Sequence, residues 1–471
     1  MKFIGRKHEI DALKSLRDKP SASLVIMKGR RRIGKSRLAK EFGQNYKFYS
    51  FSGIPPSKQE TNASQRKFFS LQLEKYFHYP VKDNWFDMLH TLGTQTMNEK
   101  AVILMDEISW MSNGDDDFLG ILKTMWDQIF SQNPKLIMIV CSSIASWIDK
   151  NILSNTGFVG RISLTLTLKE LSLPECAQIW PAECTISPTE KLKMLSVTGG
   201  VPRYLEEINT NLSAEYNIKK MCFEPSGVLY TEFDQIFSDL FSKKNAMYKN
   251  IITTLADGNK DRLGIATTLG ISDGGMLSEY LEDLETSGFI SRDFTWIINS
   301  GKESNLSTYR LSDNYVRFYL KYIEPNKNKI KKGGFSDIDL STLNNWYGIL
   351  GLQFENLVKS NRQILLEQLS ITNSSVVQDG GFFQRTTKRH PGCQIDYMIQ
   401  TKENILYLCE IKTSKNAISA NVIDEVKNKI KNLIVPKNFS ILPILIFCGT
   451  LSEELDNSGY FARKIDFTEL L

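Results

Sequence analysis

The sequence contains a glycine-rich loop, GRRRIGKS, from Gly29 to Ser36, which fits the phosphate-binding pattern G-x-x-x-x-G-K-[ST]. The apolar run 23–27 before the loop predicts a buried strand, and residues 38–42 after it predict the start of a helix. Backbone N–H groups and the positive end of a helix dipole surround an anion in such a turn. We therefore expect the loop to cradle the phosphates of a nucleotide. A chance basic turn before a helix is the alternative.

The side chains of this loop predict contacts with ATP and Mg²⁺. Lys35 is expected to pair with the β- and γ-phosphates and to act in catalysis, and the Ser36 hydroxyl is expected to ligate Mg²⁺. Gly34 lets the backbone approach the anion closely. The other nucleotide contacts expected in and beside the loop are Gly29, Arg32, Ile33 and Arg37.

Acidic and hydroxyl side chains follow two further apolar runs. The run 101–105 ends in Asp106 and Glu107, which predicts a carboxylate for the hydrated metal and a catalytic base beside it. The run 135–141 ends in Ser142 and Ser143, and we predict that Ser142 contacts the γ-phosphate. A serine that caps the next helix is an equally open interpretation.

The elements that must position these groups alternate along the chain. Strands are predicted at 23–28, 47–52, 101–105, 135–141 and 162–168, with helical segments between them. This order is typical of an α/β fold with a parallel sheet and crossover helices. The chain of 471 residues is too long for one core, so about two to four domains are expected.

Composition excludes several classes of protein. Apolar residues make up 41% of the chain and charged residues 24%, so no segment is forced into disorder. No apolar run approaches a membrane span, and the N-terminus lacks the apolar core of a signal peptide, so we expect a cytoplasmic protein with no membrane partner. Seven cysteines without a C-x-x-C pair argue against a disulfide framework. The net charge of +5 is only a weak argument for nucleic acid.

Residues 245–312 predict a small domain of three helices followed by two strands, with a polar loop at 299–307 between the strands. This arrangement is that of a winged helix. The third helix, 276–287, is acidic rather than basic. The sequence is therefore equally consistent with a winged helix that binds protein and with one that binds DNA.

The last 130 residues carry a second set of charged groups. Asp396 lies in a predicted strand at 394–399, and alternation in the strand 405–412 places Glu410 and Lys412 on one face. A predicted helix upstream offers Glu355. Charges on the same face of a mostly apolar strand need a functional or structural reason.

The segments FIGRKHEI (3–10), GRRRIGKS, LMDE and GGVPRYL (199–205) resemble the archaeal-type AAA+ ATPases, which are related to origin-recognition initiators and STAND signalling ATPases. The resemblance implies that Ile4, Gly5 and Arg6 lie against the adenine, that Pro202 and Arg203 of a helical lid sense the nucleotide, and that Arg161 reaches the γ-phosphate of a neighbouring subunit in a homo-oligomer. From the residues alone, GGVP is a helix stop and Arg161 an exposed arginine beside a strand.

The C-terminal residues resemble the PD-(D/E)xK nuclease superfamily, with Ile395 in place of the proline. The resemblance implies that Asp396, Glu410 and Glu355 hold Mg²⁺ and that Lys412 orients the attacking water. DNA is the expected partner, and the basic segments 327–332, 388–390 and 427–431 are candidates for phosphate contacts, with a solvated surface as the default.

These resemblances imply a domain organisation with a P-loop AAA+ core, a lid, a winged helix, a basic linker and a nuclease-like domain. Their predicted bounds are 1–168, 169–242, 243–325, 326–345 and 346–471. The predicted function is ATP hydrolysis coupled to Mg²⁺-dependent DNA cleavage, with a role in defence or mobile-element maintenance as the associated hypothesis. The alternative is a STAND-like switch driven by ATP, whose C-terminal domain binds DNA or protein without cleaving.

Overall fold

The computed structural model describes residues 3–55, 61–78, 80, 83–241, 245–388 and 390–471. The chain divides into two compact units. The first comprises Met1–Leu171, Val201–Arg203 and Gln235–Lys243, and the second comprises Ser172–Gly200, Tyr204–Asp234 and Lys244–Leu471. The predicted boundary between lid and winged helix, at 242 and 243, lies outside the described residues, as does Arg389 of the basic segment. The division into five domains stays a prediction.

The first unit is built on a sheet of five parallel strands in the order β2-β3-β4-β1-β5. Strands β1, β3 and β4 are almost entirely buried, as expected for a parallel sheet covered on both faces. The mixed α/β fold with a parallel sheet is thus confirmed. The strands are β1 (Ser23–Lys28), β2 (Lys47–Ser52), β3 (Ala101–Asp106), β4 (Ile137–Ser142) and β5 (Ile162–Thr167).

Helices cover both faces of this sheet. Alternation in β1 directs Leu24 and Ile26 into one apolar core, and Val25 and Met27 into the other. The helices of this part are α1 (Lys7–Lys14), α2 (Lys35–Gly43), α3 (Asn62–Phe77), α4 (Trp85–Thr96), α5 (Ile108–Met111), α6 (Phe118–Gln128) and α7 (Ala145–Ile148).

The strand order decides which residues meet. Strands β1, β4 and β3 are adjacent and parallel, so their carboxyl ends share one edge of the sheet. The loop 29–36 follows β1, Ser142 ends β4, and Asp106 ends β3. In open α/β sheets this edge is where ligands bind.

The helices that follow along the chain are divided between the two units and lead to a hairpin. They are α8 (Leu173–Ala177), α9 (Pro188–Thr198), α10 (Pro202–Leu205), α11 (Ala214–Cys222), α12 (Val228–Phe241), α13 (Asn245–Thr254), α14 (Arg262–Leu269) and α15 (Gly275–Thr286). After α15, strands β6 (Ile290–Ile297) and β7 (Lys302–Leu311) pair in antiparallel register. This is the element order predicted for the winged helix.

The polar loop expected at 299–307 is wrong for most of its length, because β7 already begins at Lys302. Glu303 lies opposite Trp296 in the hairpin register, and Gly301, with φ of 68°, forms the turn. The polar side chains of this part of β7 are largely exposed, while its backbone completes the ladder. The polar composition of this segment therefore predicted a loop, although most of the segment forms a strand.

The C-terminal sheet has the order β12-β11-β10-β9-β8, with β10, β11 and β12 parallel and β8 and β9 antiparallel to their neighbours. Its strands are β8 (Val376–Gln384), β9 (Cys393–Thr401), β10 (Ile405–Thr413), β11 (Ser440–Cys448) and β12 (Arg463–Asp466). The remaining helices are α16 (Asn314–Phe318), α17 (Lys327–Lys331), α18 (Trp346–Ser360), α19 (Arg362–Gln368), α20 (Asn421–Asn432) and α21 (Glu453–Asp456).

The β6-β7 hairpin packs directly on this sheet. The Trp296 indole N–H donates to Gln400 Oε1 at 2.8 Å, and the amide of Gln400 donates to the carbonyl of Ile298 at 2.8 Å. The ring of Trp296 meets Phe382 edge-on at 5.1 Å. The hairpin and the C-terminal sheet therefore share one apolar core. None of the helices in the described ranges combines the length and apolar character that crossing a bilayer requires.

Candidate nucleotide and metal sites

The loop 29–36 has the backbone of a phosphate cradle. Gly29 and Gly34 have φ angles of 153° and 90°, which a side chain would strain, and a Cβ on Gly29 would lie 2.5 Å from the carbonyl oxygen of Leu168. Helix α2 starts directly after Gly34, and no described side chain caps its first turn. The N–H groups of that turn are therefore directed at the loop, as anion binding requires.

Lys35 and Ser36 are held at the loop and at the acidic strand end. Lys35 is buried, and its Nζ donates to the carbonyl oxygens of Gly29 at 2.8 Å and Arg30 at 3.1 Å. Ser36 Oγ donates to Asp106 Oδ2 at 2.6 Å, which joins the loop to the end of β3. Among the other loop positions, Ile33 is fully buried, Arg32 has a left-handed φ of 70°, and Arg37 is exposed on α2.

Ser36 and Asp106 fit a Mg²⁺ ion in their chemistry. A hydroxyl and a carboxylate are hard oxygen ligands, and a site that binds Mg²⁺ with one or two protein oxygens leaves room for phosphates and water. Cys141 Sγ donates to the other carboxylate oxygen of Asp106 at 2.9 Å. This contact fixes the carboxylate from the neighbouring strand.

Glu107 is held by Ser143. The backbone N–H and the hydroxyl of Ser143 both donate to Glu107 Oε2 at 2.9 Å. Glu107 has a φ of 52°, a strained value for a residue with a side chain. Burial raises the pKa of its carboxyl, and the Lys35 cation and the Ser143 hydrogen bonds only partly oppose this. Ser142 is buried, and its hydroxyl lies 2.8 Å from the hydroxyl of Ser109; its contact with the γ-phosphate stays a prediction.

The residues predicted to contact adenine and to sense the nucleotide lie beside the loop. Arg6 is buried and its Nη2 donates to the carbonyls of Ile33 at 3.1 Å and Lys169 at 2.5 Å. Ile4 and Gly5 precede it, half-buried, and Gly5 has a φ of 64°.

Pro202 and Arg203 approach the same loop. A Cβ on Gly34 would lie 3.7 Å from Pro202 Cγ. The backbone N–H of Arg203 donates to the carbonyl of Arg32 at 3.4 Å. The start of α10 thus contacts the loop through its backbone and its proline ring.

Arg161 is bound within its own chain. Its Nε and Nη2 donate to the two carboxylate oxygens of Asp127, at 2.6 Å and 2.9 Å. These bonds hold the pKa of Asp127 well below its usual range, at about 2. The predicted role toward a second subunit stays a prediction.

The C-terminal carboxylates converge between β9 and β10. The backbone N–H of Ile411 donates to Asp396 Oδ2 at 2.9 Å. Glu410 is buried, and Lys412 Nζ lies 3.1 Å from Glu410 Oε1, so alternation placed these two side chains on one face as predicted. Burial and the charge of Glu410 raise the pKa of Asp396.

A lysine that the sequence interpretation did not assign to the site connects the two acids. Lys429 Nζ on α20 lies 2.6 Å from Glu410 Oε2 and 3.5 Å from Asp396 Oδ1. Sequence alone placed it only among the basic residues of a helix. The useful signal is its spacing from Val422 and Val426, which puts it on the buried face of α20.

Glu355, predicted as a metal ligand, forms an ion pair with a lysine, and its role as a ligand stays a prediction. Lys359 Nζ lies 2.5 Å from Glu355 Oε1 and 3.6 Å from Asp293 Oδ2. Asp293, Lys359 and Asp396 line a cavity of about 440 Å³ that also borders β8 and β9. Within the described ranges, no group of three or more His, Cys, Asp or Glu side chains is arranged to hold a metal ion. Asp396 and Glu410 are therefore a two-carboxylate site that fits an ion only with further ligands.

Comparisons with known proteins give relatives of undetermined role. No protein-family model matches the chain. An uncharacterised protein of Methanocaldococcus jannaschii is 26% identical over 358 residues, which are 76% of this chain and 76% of the relative. An uncharacterised ATP-binding protein of the same organism is 42% identical over 45 residues, which are 10% of this chain and 76% of that protein.

Two solved structures illustrate what the chain matches in three dimensions. The Walker-type ATPase of Pyrococcus abyssi has a TM-score of 0.48 and 16% identity, and the match covers 68% of this chain and 96% of that one. The ORC2 protein of Aeropyrum pernix, in its ADPNP and ADP complexes, has a TM-score of 0.43 and 14% identity over 71% of this chain and 96% of that one. By its own strand order, loop conformation and acidic strand end, this chain has a mixed α/β core with a phosphate loop after β1.

Proposed function

We propose that the first unit binds and hydrolyses ATP. The observation that carries this proposal is the 2.6 Å contact from Ser36 to Asp106, with buried Lys35 at the loop beside it. Four groups with different roles in phosphoryl transfer, Lys35, Ser36, Asp106 and Glu107, lie at one edge of the sheet. The ATP-binding relative supports the nucleotide class.

The roles of these residues follow from their chemistry. Lys35 exchanges its loop carbonyls for the β- and γ-phosphates and neutralises their charge. Ser36 and Asp106 would hold the Mg²⁺ that accompanies ATP, and the ion would supply further neutralisation of the phosphate oxygens. Glu107 accepts a proton from the attacking water, and Ser143 orients its carboxylate. Arg6, Pro202 and Arg203 support the loop from its sides.

We propose further that the C-terminal site cleaves DNA with Mg²⁺. Asp396 and Glu410 supply oxygen ligands that meet at one point, and Lys412 lies beside them to orient water. Asp396 is among the residues that line the cavity bordered by Asp293 and Lys359, and we propose that a nucleic-acid strand reaches the site from this side. Glu355 pairs with Lys359, which lines the same cavity as Asp396, and it remains the candidate for a further metal ligand.

A regulatory switch driven by ATP is the second candidate. Two observations favour it. The carboxylate pair already contacts the Lys429 cation, and the third helix of the small domain, α15, carries Glu279, Glu282 and Glu285. An acidic helix repels DNA phosphates and suits a basic protein surface. In this case the C-terminal domain binds a partner without cutting.

The test measures ATP hydrolysis and DNA cleavage separately. The purified chain is incubated with Mg²⁺ and with duplex, single-stranded or branched DNA, in the presence or absence of ATP. Lys35→Ala is expected to abolish hydrolysis, and Lys412→Ala to abolish cleavage while leaving hydrolysis intact. Lys437→Ala, which removes an exposed lysine that follows α20 and lies outside the basic segments, is the matched control for cleavage.

Each outcome decides between the candidates. Normal hydrolysis by Lys35→Ala contradicts the assignment of the phosphate loop. Cleavage that survives Lys412→Ala contradicts the assignment of the nuclease site. Hydrolysis without cleavage of any DNA form selects the switch.

A further inference from the structure

We propose that Lys429 is a built-in cation of the C-terminal site, and that a divalent metal ion binds Asp396 and Glu410 only in exchange for its ammonium group. The inference deepens the proposed metal-dependent function of this site and rests on it. It concerns how the two carboxylates are kept together and what a metal ion must displace.

The register of α20 places Lys429 at the carboxylates. Val422 and Val426 are buried and anchor one face of the helix, and Lys429 follows at the next turn of that face. Cys393 Sγ donates to the backbone carbonyl of Lys429 at 3.3 Å and ties this turn to β9. The Lys429 side chain is only 25% exposed. The packing of α20 therefore sets the position of the Lys429 side chain, in contrast to a lysine that moves freely at the surface.

Lys429 pairs with both acids of the site, whereas the neighbouring Lys412 pairs with one of them. Among the described residues, it forms ion pairs with both Glu410, at 2.6 Å, and Asp396, at 3.5 Å. Lys412 pairs with Glu410 at 3.1 Å and with Glu425 at 2.8 Å, but not with Asp396. Of these two lysines, Lys429 is the one that bridges the pair proposed to hold metal.

Electrostatics makes the bridge and a metal ion competitors. Two carboxylates at a partly buried site repel each other, and a cation between them offsets that repulsion. An ammonium group and a divalent ion seek the same oxygens, so one leaves when the other binds. The ammonium on its flexible stem can turn toward solvent, whereas the carboxylates are fixed to strands.

The exchange is tested by metal affinity. Mn²⁺ is titrated calorimetrically into the full-length chain without nucleotide, in an Asp106→Asn background that removes the metal ligand of the phosphate loop. Lys429→Met is expected to bind Mn²⁺ about tenfold more tightly or better, the ratio that corresponds to one lost charge-assisted hydrogen bond. Lys437→Met, at an exposed lysine in the turn after this helix, is expected to bind Mn²⁺ as the parent does.

A second variant locates the ion. Adding Asp396→Asn to Lys429→Met is expected to remove the gained affinity. Affinity of Lys429→Met no higher than that of the parent overturns the inference, and so does a gain that persists without the Asp396 carboxylate. Lys429→Gln supplies the same comparison if circular dichroism shows that the methionine variant does not fold.

The two proposals fail in different ways. A chain that shows the exchange but cuts no DNA keeps the Lys429 inference and contradicts the nuclease. A chain that cuts DNA but whose Mn²⁺ affinity ignores Lys429 keeps the nuclease and contradicts the inference.

Discussion

Ser143 donates two hydrogen bonds to one carboxylate oxygen of Glu107, from its backbone N–H and from its hydroxyl, each 2.9 Å long. The contact joins the first residue after β4 to the first residue after β3. It fixes the orientation of the side chain proposed as the catalytic base. Because two donors hold one oxygen, the carboxylate cannot rotate without breaking both bonds.

Replacing Ser143 with alanine is expected to slow ATP hydrolysis without preventing ATP binding. The variant loses the hydroxyl bond to a charged acceptor, which contributes roughly 1.5–3 kcal/mol, and we expect about a tenfold fall in kcat. The measurement is steady-state phosphate release together with the Kd for ATP. An unchanged Kd with a reduced kcat is the expected pattern.

Ser142→Ala is the matched comparison, because it removes a hydroxyl one residue earlier that bonds to Ser109 instead. A loss of kcat in Ser142→Ala but not in Ser143→Ala would support the γ-phosphate contact expected from sequence and would contradict the role given to Ser143.

The pattern of Ser142 and Ser143 shows where inference from sequence ends. The apolar run before them predicted β4, and its neighbours predicted a parallel sheet. Which of two adjacent hydroxyls faces Glu107 depends on a turn after the strand and on a partner 36 residues away along the chain. Sequence patterns report local periodicity and contain no such information.

The C-terminal site illustrates the same division. Alternation in β10 was sufficient to place Glu410 and Lys412 on one face. The bridge from Lys429 depends on how α20 packs across the sheet, and the pairing of Glu355 with Lys359 depends on a choice among nearby charges. The early start of β7 was missed because its exposed side chains are polar.

The role expected of Arg161 implies that ATP hydrolysis depends on self-association of the chain. If this arginine leaves Asp127 to reach the nucleotide of a second copy, the specific ATPase activity of the native chain rises with protein concentration. Arg161→Ala is then expected to have low activity at every concentration. The measurement is phosphate release per chain over about a hundredfold range of concentration, beside light scattering.

Mixing variants separates this role from a structural one. Arg161→Ala has an intact nucleotide site, and Lys35→Ala has an intact arginine, so a mixture is expected to regain activity that neither has alone. Full activity of Arg161→Ala alone would contradict the role across subunits.

Arg317 is a buried cation whose removal is expected to stabilise the chain or leave it unchanged. The side chain is 1% exposed, and Nη2 donates to the carbonyl of Leu311 at 2.6 Å, while Nε and Nη1 have no partner among the described residues. Burial lowers the pKa of Arg317 to about 10. Replacing a buried charge by an apolar side chain of similar volume is neutral or stabilising by roughly 1–4 kcal/mol, so Arg317→Met should raise the midpoint of urea unfolding.

Arg310→Met is the contrasting variant. Arg310 is also buried, but it donates to Asp293 at 3.1 Å and to Asn356. Removing it leaves the Asp293 carboxylate with less compensation, and a loss of roughly 3–5 kcal/mol is typical of a broken buried pair. A lower midpoint for Arg317→Met, comparable with that of Arg310→Met, would show that Arg317 has a stabilising partner.

Asp293 predicts a pH dependence of stability. Burial raises the pKa of its carboxyl, but the cations of Arg310 and Lys359 outweigh burial and hold the pKa below its ordinary value. A lowered pKa in the folded state means that the ionised carboxylate stabilises the fold at pH above about 3.9, the ordinary value for aspartate, and that this contribution is lost as the pH falls through the folded-state pKa. Asp293→Asn should therefore be less stable than the native chain at pH 7, and the difference should shrink as the pH falls below about 4.

Urea unfolding from pH 7 to pH 3 measures this difference, and Asp337→Asn, an exposed position in the same unit, should stay close to the native chain throughout. A difference for Asp293→Asn that stays constant with pH would mean that the carboxylate is not stabilised by Arg310 and Lys359.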